Sequence, residues 1–175
     1  MTAWTYERIS NGGKLILIKP GTKVFFRLTK PVLLVCCILP LIILFLREFE
    51  VGGSGLGANP IEELLHELGR WGLKFLLLTL VITPLRRWTG WNWLIRFRRM
   101  LGLFAFFYIV LHFAVYAFLD QSLDMAAIFE DIVKRPYITL GMAGVLMLIP
   151  LAVTSTKGMM RRLGKNWQKL HRLVY

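Results

Sequence analysis

The chain has 175 residues, of which 56% are hydrophobic and 13% aromatic, and its formal net charge is +12 at pH 7. A soluble domain of this length could not bury so much apolar surface, and the mean hydropathy of +0.57 points the same way. The basic residues lie between apolar segments, which favours a membrane protein facing anionic headgroups over a nucleic-acid-binding protein. We therefore predict an all-α, polytopic transmembrane helix bundle.

The N-terminal part of the chain divides at residue 30. Residues 1–30 are basic and are predicted to form a cytoplasmic arm, and residues 31–175 are predicted to form the transmembrane domain. The first apolar segment, 31–46, contains Pro40, which we expect to kink a helix. It also contains Cys36 and Cys37, which have no disulfide or metal-binding spacing and are predicted to be packing residues. The glycine-rich stretch 51–60 is predicted to be a linker.

The second apolar segment, 71–85, follows an acidic, amphipathic helical turn that carries His66. It is short for a span, so we expect it to begin in the membrane interface, with Lys74 reaching the headgroups and Pro84 ending the helix. The next loop, 86–99, holds five arginines and three tryptophans. We interpret it as a topology determinant, the alternative being a docking surface for a flavin or a soluble reductase.

The third apolar segment, 100–119, would span roughly 30 Å as a helix and is interrupted by one ionisable residue, His112. Helical spacing places five residues on one stripe that could wall a flat cofactor: Ala105, Tyr108, His112, Val115 and Tyr116. An intramembrane histidine is costly without a partner, which makes His112 a candidate functional residue. The alternative, equally favoured, is a hydrogen bond to a neighbouring helix.

The fourth apolar segment, 137–154, follows an acidic loop at 120–135 and contains Gly141 and Gly144, which allow a close helix contact. The last residues, 171–175, have the pattern of a helix entry, and no apolar segment follows them. We therefore predict four spans and the start of a fifth, and expect the sequence to be truncated.

The charges alternate from loop to loop. Segments 1–30, 86–99 and 157–172 hold 17 of the 22 lysines and arginines, whereas segments 47–70 and 120–135 hold nine of the ten acidic residues. Four consecutive spans require such alternation, and the positive-inside rule then places the N-terminus in the cytoplasm.

The two other histidines lie near the predicted membrane surfaces. His66 is on the acidic side and His171 on the basic side, and each alone is more typical of a solvated residue than of a ligand. Facing helices can nevertheless hold a b-type haem through axial imidazoles. The sequence contains no HExxH, Walker or EF-hand motif and no Ser/His/Asp constellation, so a hydrolase is not expected.

Four motifs carry a family resemblance: GRWGLKFLLLTLVITPLRR, RRMLGLFAFFYIVLHFAVY, KRPYITLG and TSTKGMMRRLGKNWQKLHRLVY. In this order and spacing they resemble the MsrQ (YedZ) family, the haem-binding membrane subunits of the MsrPQ methionine sulfoxide reductase system. That family lies within the ferric-reductase-like transmembrane superfamily. The resemblance runs from about Gly69 to Tyr175.

The resemblance implies a six-helix protein of the bacterial inner membrane that binds haem b, with FMN also associated. Such a protein would pass electrons from a cytoplasmic flavin reductase or a quinone to MsrP, a periplasmic molybdopterin enzyme that repairs oxidised proteins. The reductase active site would lie on that partner. By motif, His112 and His171 match haem ligands, and His66 is a weaker match.

The sequence departs from the family pattern in one respect, since a further haem histidine of the family lies deeper in the fifth helix than Tyr175. Two alternatives therefore stay open. One is another ferric-reductase-like cytochrome b with a different acceptor, and the other is a haem-free membrane scaffold.

Overall fold

This computed structural model describes residues 22–48 and 59–172, and within these ranges the chain is helical and has no strand. The α-helices of these ranges are α1 (Lys23–Glu48), α2 (Pro60–Thr89), α3 (Ile95–Val115), α4 (Met125–Lys134), α5 (Pro136–Val153), α6 (Lys157–Leu163) and α7 (Lys165–Arg172). A 3₁₀ turn, Asn92–Leu94, leads into α3, and a π-helical turn, Tyr116–Asp120, extends it. The all-α prediction is confirmed.

Four helical segments of the described residues are long and apolar enough to cross a membrane: Lys23–Arg47, Pro60–Thr89, Asn92–Asp120 and Pro136–Val153. The 18-residue α5 is the shortest of these, and at 1.5 Å per residue it still reaches about 27 Å. The polytopic bundle predicted from hydropathy is therefore confirmed.

The first span begins earlier than its apolar segment. Helix α1 starts at Lys23, so residues 23–30 of the predicted basic arm are helical, and Pro40 lies inside the helix. Residues 1–21 of the arm and residues 51–58 of the predicted linker lie outside the described part of the chain.

The second span is longer than predicted. Asn59 caps the start of α2 by accepting a hydrogen bond from the Glu62 amide, and the helix continues without a break into the apolar segment. The prediction that Pro84 ends this helix is wrong, because α2 passes through it and stops at Gly90, whose φ of 72° is the left-handed conformation that glycine adopts freely. Proline is tolerated inside membrane helices because neighbouring groups compensate the lost backbone bond.

The acidic segment 120–135, predicted as a loop, contains helix α4. The carboxylate of Asp124 accepts hydrogen bonds from the amides of Ala126 and Ala127 and so caps the helix at its N-terminus. Tyr116 at the end of the third span donates its hydroxyl to Asp131 of α4 at 3.0 Å. This bond ties α4 to the acidic end of the third span.

The core of the molecule lies between α2 and α3, with α1 packed across them. Leu68 of α2 and Tyr108 of α3 are both 0% exposed, and the Tyr108 hydroxyl donates to the Cys37 carbonyl of α1 at 2.9 Å. Cys37 is buried and Cys36 is exposed, so one of the two cysteines packs as predicted. This buried hydrogen bond joins α3 to α1.

Helix α5 makes a looser contact with the rest of the described structure. None of its residues is buried, and a Cβ built on Gly141 or Gly144 would meet no atom within 4 Å. The close helix contact that these two glycines allow is therefore not made within the described residues.

Candidate functional site

His112 lies on α3, eight residues before the end of the third span at Asp120 and on the face turned to α2. Eight residues of helix correspond to about 12 Å, so the imidazole lies nearer the acidic end of the span than the basic end. The side chain is half-buried. Its position results from the packing of α3 on α2 around Leu68 and Tyr108.

The imidazole of His112 is oriented by the backbone of α2. Its Nδ1 lies 2.9 Å from the carbonyl oxygen of Leu65. A carbonyl can only accept a hydrogen bond, so Nδ1 must carry the proton. In the neutral ring Nε2 then carries the lone pair, and it lies on the side of the ring away from the Leu65 carbonyl. A histidine whose second nitrogen is fixed in this way is arranged as a metal ligand is in proteins.

Gly69 leaves the space that the His112 ring occupies. A Cβ built on Gly69 would lie 3.2 Å from Nδ1 and 3.3 Å from Cε1 of His112, tighter than ordinary van der Waals contact. Gly69 lies one helical turn after Leu65, so the carbonyl and the glycine contact the same ring. The backbone of α2 therefore sets both the direction and the depth of this imidazole.

The predicted stripe on α3 faces inward, although its residues differ in their surroundings. Ala105 and Tyr108 are fully buried against protein, and the Tyr108 ring packs on Phe75 with centroids 5.2 Å apart. The expectation that the whole stripe walls a flat cofactor is therefore corrected. His112 and Tyr116 are its half-buried members, and the π-helical turn begins at Tyr116. Such turns occur often at functional sites.

His171 lies on α7 and has a comparable ring arrangement. Its Nδ1 lies 3.1 Å from the Trp167 carbonyl, and its ring stacks on the Trp167 indole with centroids 4.1 Å apart. The carbonyl again requires the proton on Nδ1, and Nε2 is buried without a hydrogen-bond partner. Burial lowers the pKa of His171 and the charge of Arg98 lowers it further, whereas the backbone carbonyls of Trp167 and Leu151 partly offset the shift. The neutral ring, the form that binds metals, is favoured.

His66 has a different environment. Its side chain is 68% exposed and lies 3.8 Å from Glu62 on the same helix. The groups of α2 that meet His112 are instead the carbonyl of Leu65 and the backbone at Gly69.

His112 and His171 lie at two different levels of the molecule. The Trp167 indole of α7 donates to the Thr154 carbonyl at 2.9 Å, which places α7 beside the end of α5 that precedes the basic segment 157–172. His112 instead lies near the end of the third span that leads into the acidic segment 120–135.

The two rings fit a haem iron better than a multidentate metal site. In the described part of the chain, no group of three or more His, Cys, Asp or Glu side chains could hold a metal ion. Haem iron needs only an axial imidazole with a free nitrogen lone pair. His112 and His171 each offer one, and the unpartnered Nε2 of His171 is otherwise a costly feature in a buried position.

Three contributors to this site were not identified from the sequence. The Leu65 carbonyl is a backbone group and leaves no trace in residue identity, and the role of Gly69 depends on the register of α2 against α3. The hydrogen bond from Trp167 to Thr154, which helps to position His171, depends on how α7 packs against the end of α5. The GRWGLKF motif does contain Gly69, and that was the available signal.

Comparison with known proteins identifies the family. Residues 68–175 match the family described as Ferric reductase like transmembrane component. A Rhodospirillum rubrum protein named protein-methionine-sulfoxide reductase heme-binding subunit MsrQ is 57% identical over 85% of this chain and 71% of its own length. Proteins of the same name from Herminiimonas arsenicoxydans and Xanthomonas oryzae pv. oryzae are 60% and 55% identical over 69% and 75% of this chain.

The chain spans 56% and 60% of the lengths of the Herminiimonas and Xanthomonas proteins. No solved structure matches it at a significant level. The resemblance of the four motifs is thus confirmed by identity over most of the chain. The chain belongs to the ferric-reductase-like transmembrane family and, within it, to the MsrQ heme-binding subunits.

Proposed function

We propose that this chain is a haem b electron-transfer subunit that carries electrons across the bacterial inner membrane to MsrP, a periplasmic molybdopterin methionine sulfoxide reductase. The observation that carries the proposal is the pair of imidazoles at two levels, each with Nδ1 bound to a carbonyl and Nε2 available. Electrons that cross a bilayer need cofactors at more than one depth, and these two rings supply ligands at two.

The chain's own residues would hold the haem as follows. His112 would provide its Nε2 near the acidic end of the bundle, and His171 would provide its Nε2 near the basic end. Haem iron, when bound, supplies the one-electron redox chemistry. The carbonyls of Leu65 and Trp167 hold the rings in the ligand tautomer. His66, exposed and beside Glu62, is the weakest of the three ligand candidates.

The direction of transfer follows from the charges of the loops. By the positive-inside rule the basic ends of the spans, with the N-terminus, lie in the cytoplasm. A flavin reductase or a quinone would donate electrons there, near His171 and Arg98. The acidic end, with Asp124, Glu130 and Asp131, would face MsrP. FMN as a second cofactor rests on the family resemblance alone.

The test uses the chain purified in lipid nanodiscs and supplied with haem. We expect a b-type reduced-minus-oxidised spectrum, and we expect a purified MsrP-type enzyme with a methionine sulfoxide substrate to reoxidise the reduced haem. His112→Ala should lose the haem bound at the level of His112 while the protein remains inserted. His66→Ala is the matched control and should retain it.

Absence of haem from the inserted, haem-supplied chain would contradict the proposal and favour a scaffold. Bound haem that MsrP does not reoxidise would favour a ferric-reductase-like cytochrome with another acceptor.

A further inference from the structure

We infer that Gly69 and the Leu65 carbonyl of α2 together position the His112 ring, because the glycine leaves space for the ring and the carbonyl accepts its hydrogen bond. Gly69 is thus a positioning residue for the proposed haem ligand. The inference rests on the proposed haem site at His112. It assigns a role in that site to a residue with no side chain and to a backbone carbonyl.

The first step of the argument concerns the space at Gly69. Three glycines in contact between α2 and α3 differ in what a Cβ would meet. At Gly69 it would lie 3.2 Å from Nδ1 of His112, at Gly72 it would lie 2.8 Å from Cγ1 of Ile109, and at Gly102 it would lie 3.5 Å from Cγ2 of Thr79. Of the three, Gly69 is the one that contacts the proposed ligand.

The second step concerns the hydrogen bond. An alanine at Gly69 would push on Nδ1 and Cε1, the atoms at and beside the end of the ring that donates to the Leu65 carbonyl at 2.9 Å. The ring would have to move by a few tenths of an ångström, and the hydrogen bond would lengthen or bend. That bond holds the proton on Nδ1 and orients Nε2, so the direction of the ligand lone pair would change.

The third step concerns size. Loss of a group that orients a metal-bound histidine lowers metal affinity by about 10- to 100-fold in other proteins. We expect Gly69→Ala to lower the haem affinity of the His112 site by about 10-fold, and to change the EPR g values of the haem that remains.

The experiment compares three alanine substitutions in the full chain in nanodiscs, by haem titration and EPR. Gly102→Ala should match the wild type, because its Cβ has ordinary contact distance. Gly72→Ala should lower stability because it clashes with Ile109, while the g values stay unchanged in the haem-bound fraction. Gly69→Ala alone should change both haem affinity and g values. Gly69→Ser, with the same Cβ, should change them in the same direction.

The possible results separate this inference from the proposed function. If Gly69→Ala has the affinity and g values of the wild type while His112→Ala loses haem, the positioning role is overturned and the haem site stands. If Gly72→Ala shifts the g values as Gly69→Ala does, a general separation of the helices explains the effect and the inference fails. If His112→Ala keeps the full haem content and g values, both the haem site at His112 and the inference fall.

Discussion

The two sides of α3 show how differently one membrane helix can be packed. The side of α3 that faces α2 is closely packed, since Leu68 and Tyr108 are 0% exposed. A Cβ built on Gly72 would lie only 2.8 Å from Cγ1 of Ile109. Toward α5 the described contact is loose, and the α5 glycines have open space around them. Lipid is as apolar as leucine, so an open apolar helix costs little in a membrane, and only close packing distinguishes one surface from another.

This difference places the two histidines in unlike settings. His112 belongs to the tight contact, and its hydrogen-bond acceptor comes from another helix, 47 residues away in sequence. His171 bonds to a carbonyl of its own helix, four residues away. The first ring therefore depends on how two helices pack, whereas the second depends on the local geometry of α7. Substitutions in the two regions should have effects of correspondingly different size.

The largest expected effect comes from Leu68→Ala. Leu68 is fully buried between the helices, and leucine-to-alanine changes in protein cores cost about 2–5 kcal/mol. We expect about 2 kcal/mol, the lower limit, since the bilayer also solvates apolar groups. Leu140→Ala on α5, where Leu140 is 74% exposed, should change the free energy of unfolding by less than about 0.5 kcal/mol. Unfolding in mixed micelles at increasing SDS fraction measures both, and equal costs would contradict the packing difference.

A similar contrast is expected for added volume. Gly72→Ala places a Cβ 2.8 Å from Ile109, and overpacking of this kind costs about 1–3 kcal/mol. Gly144→Ala meets no atom within 4 Å and gains helix propensity, so it should be neutral or stabilising by up to about 1 kcal/mol. The same SDS titration measures both substitutions. Destabilisation by Gly144→Ala as large as that by Gly72→Ala would show that α5 is packed as tightly as α2.

The hydrogen bond from Tyr108 to α1 should contribute less. Tyr108→Phe removes the hydroxyl that donates to the Cys37 carbonyl and leaves that carbonyl buried, at a cost of about 1 kcal/mol. The control is Tyr137→Phe on α5, whose hydroxyl is exposed and meets Arg135 at 3.4 Å. Amide hydrogen exchange of α1 should increase in the first variant only. Unchanged protection of α1 in Tyr108→Phe would argue against this bond as a tie between the helices.

The smallest expected effect concerns the ion pair of Arg47 and Glu63, which joins the end of α1 to the start of α2. Both side chains are partly exposed, and such pairs contribute about 0–1 kcal/mol. Arg47→Ala should therefore have a small effect at low salt that disappears near 1 M salt, where charges are screened within about 3 Å. Thermal denaturation at the two salt concentrations measures it, and an effect that persists at high salt would point to a packing role for the arginine stem.

The sequence was sufficient for the spans because their signal is compositional. The apolar segments 71–85 and 100–119 lie within helical spans of the structure, and the fourth segment lies within α5 except for Thr154. The inward stripe through Tyr108 follows from the helical period. The bounds were less predictable, since propensity cannot say that α2 continues through Pro84 or that Asp124 caps a helix in an acidic loop. Those outcomes depend on neighbours and on capping.

The candidate site was predictable only in part, for a physical reason. His112 stands out because an ionisable residue in an apolar segment is costly. The hydrogen-bond acceptor of His112 is the Leu65 backbone carbonyl, and its ring occupies space left by the absent side chain of Gly69. Both contacts depend on the register of α2 against α3. His171 taken alone is more typical of a solvated residue, and the motif match made it a ligand candidate; the structure buries its Nε2.

We propose that His112 and His171 hold haem at two separate levels. A potentiometric titration of the b-type absorbance is the most direct test of this arrangement. The chain in nanodiscs should titrate as two components, with His112→Ala removing one and His171→Ala removing the other. A single titrating component would contradict haem binding at two levels. The same conclusion would follow if both substitutions abolished the same component while the protein stayed inserted.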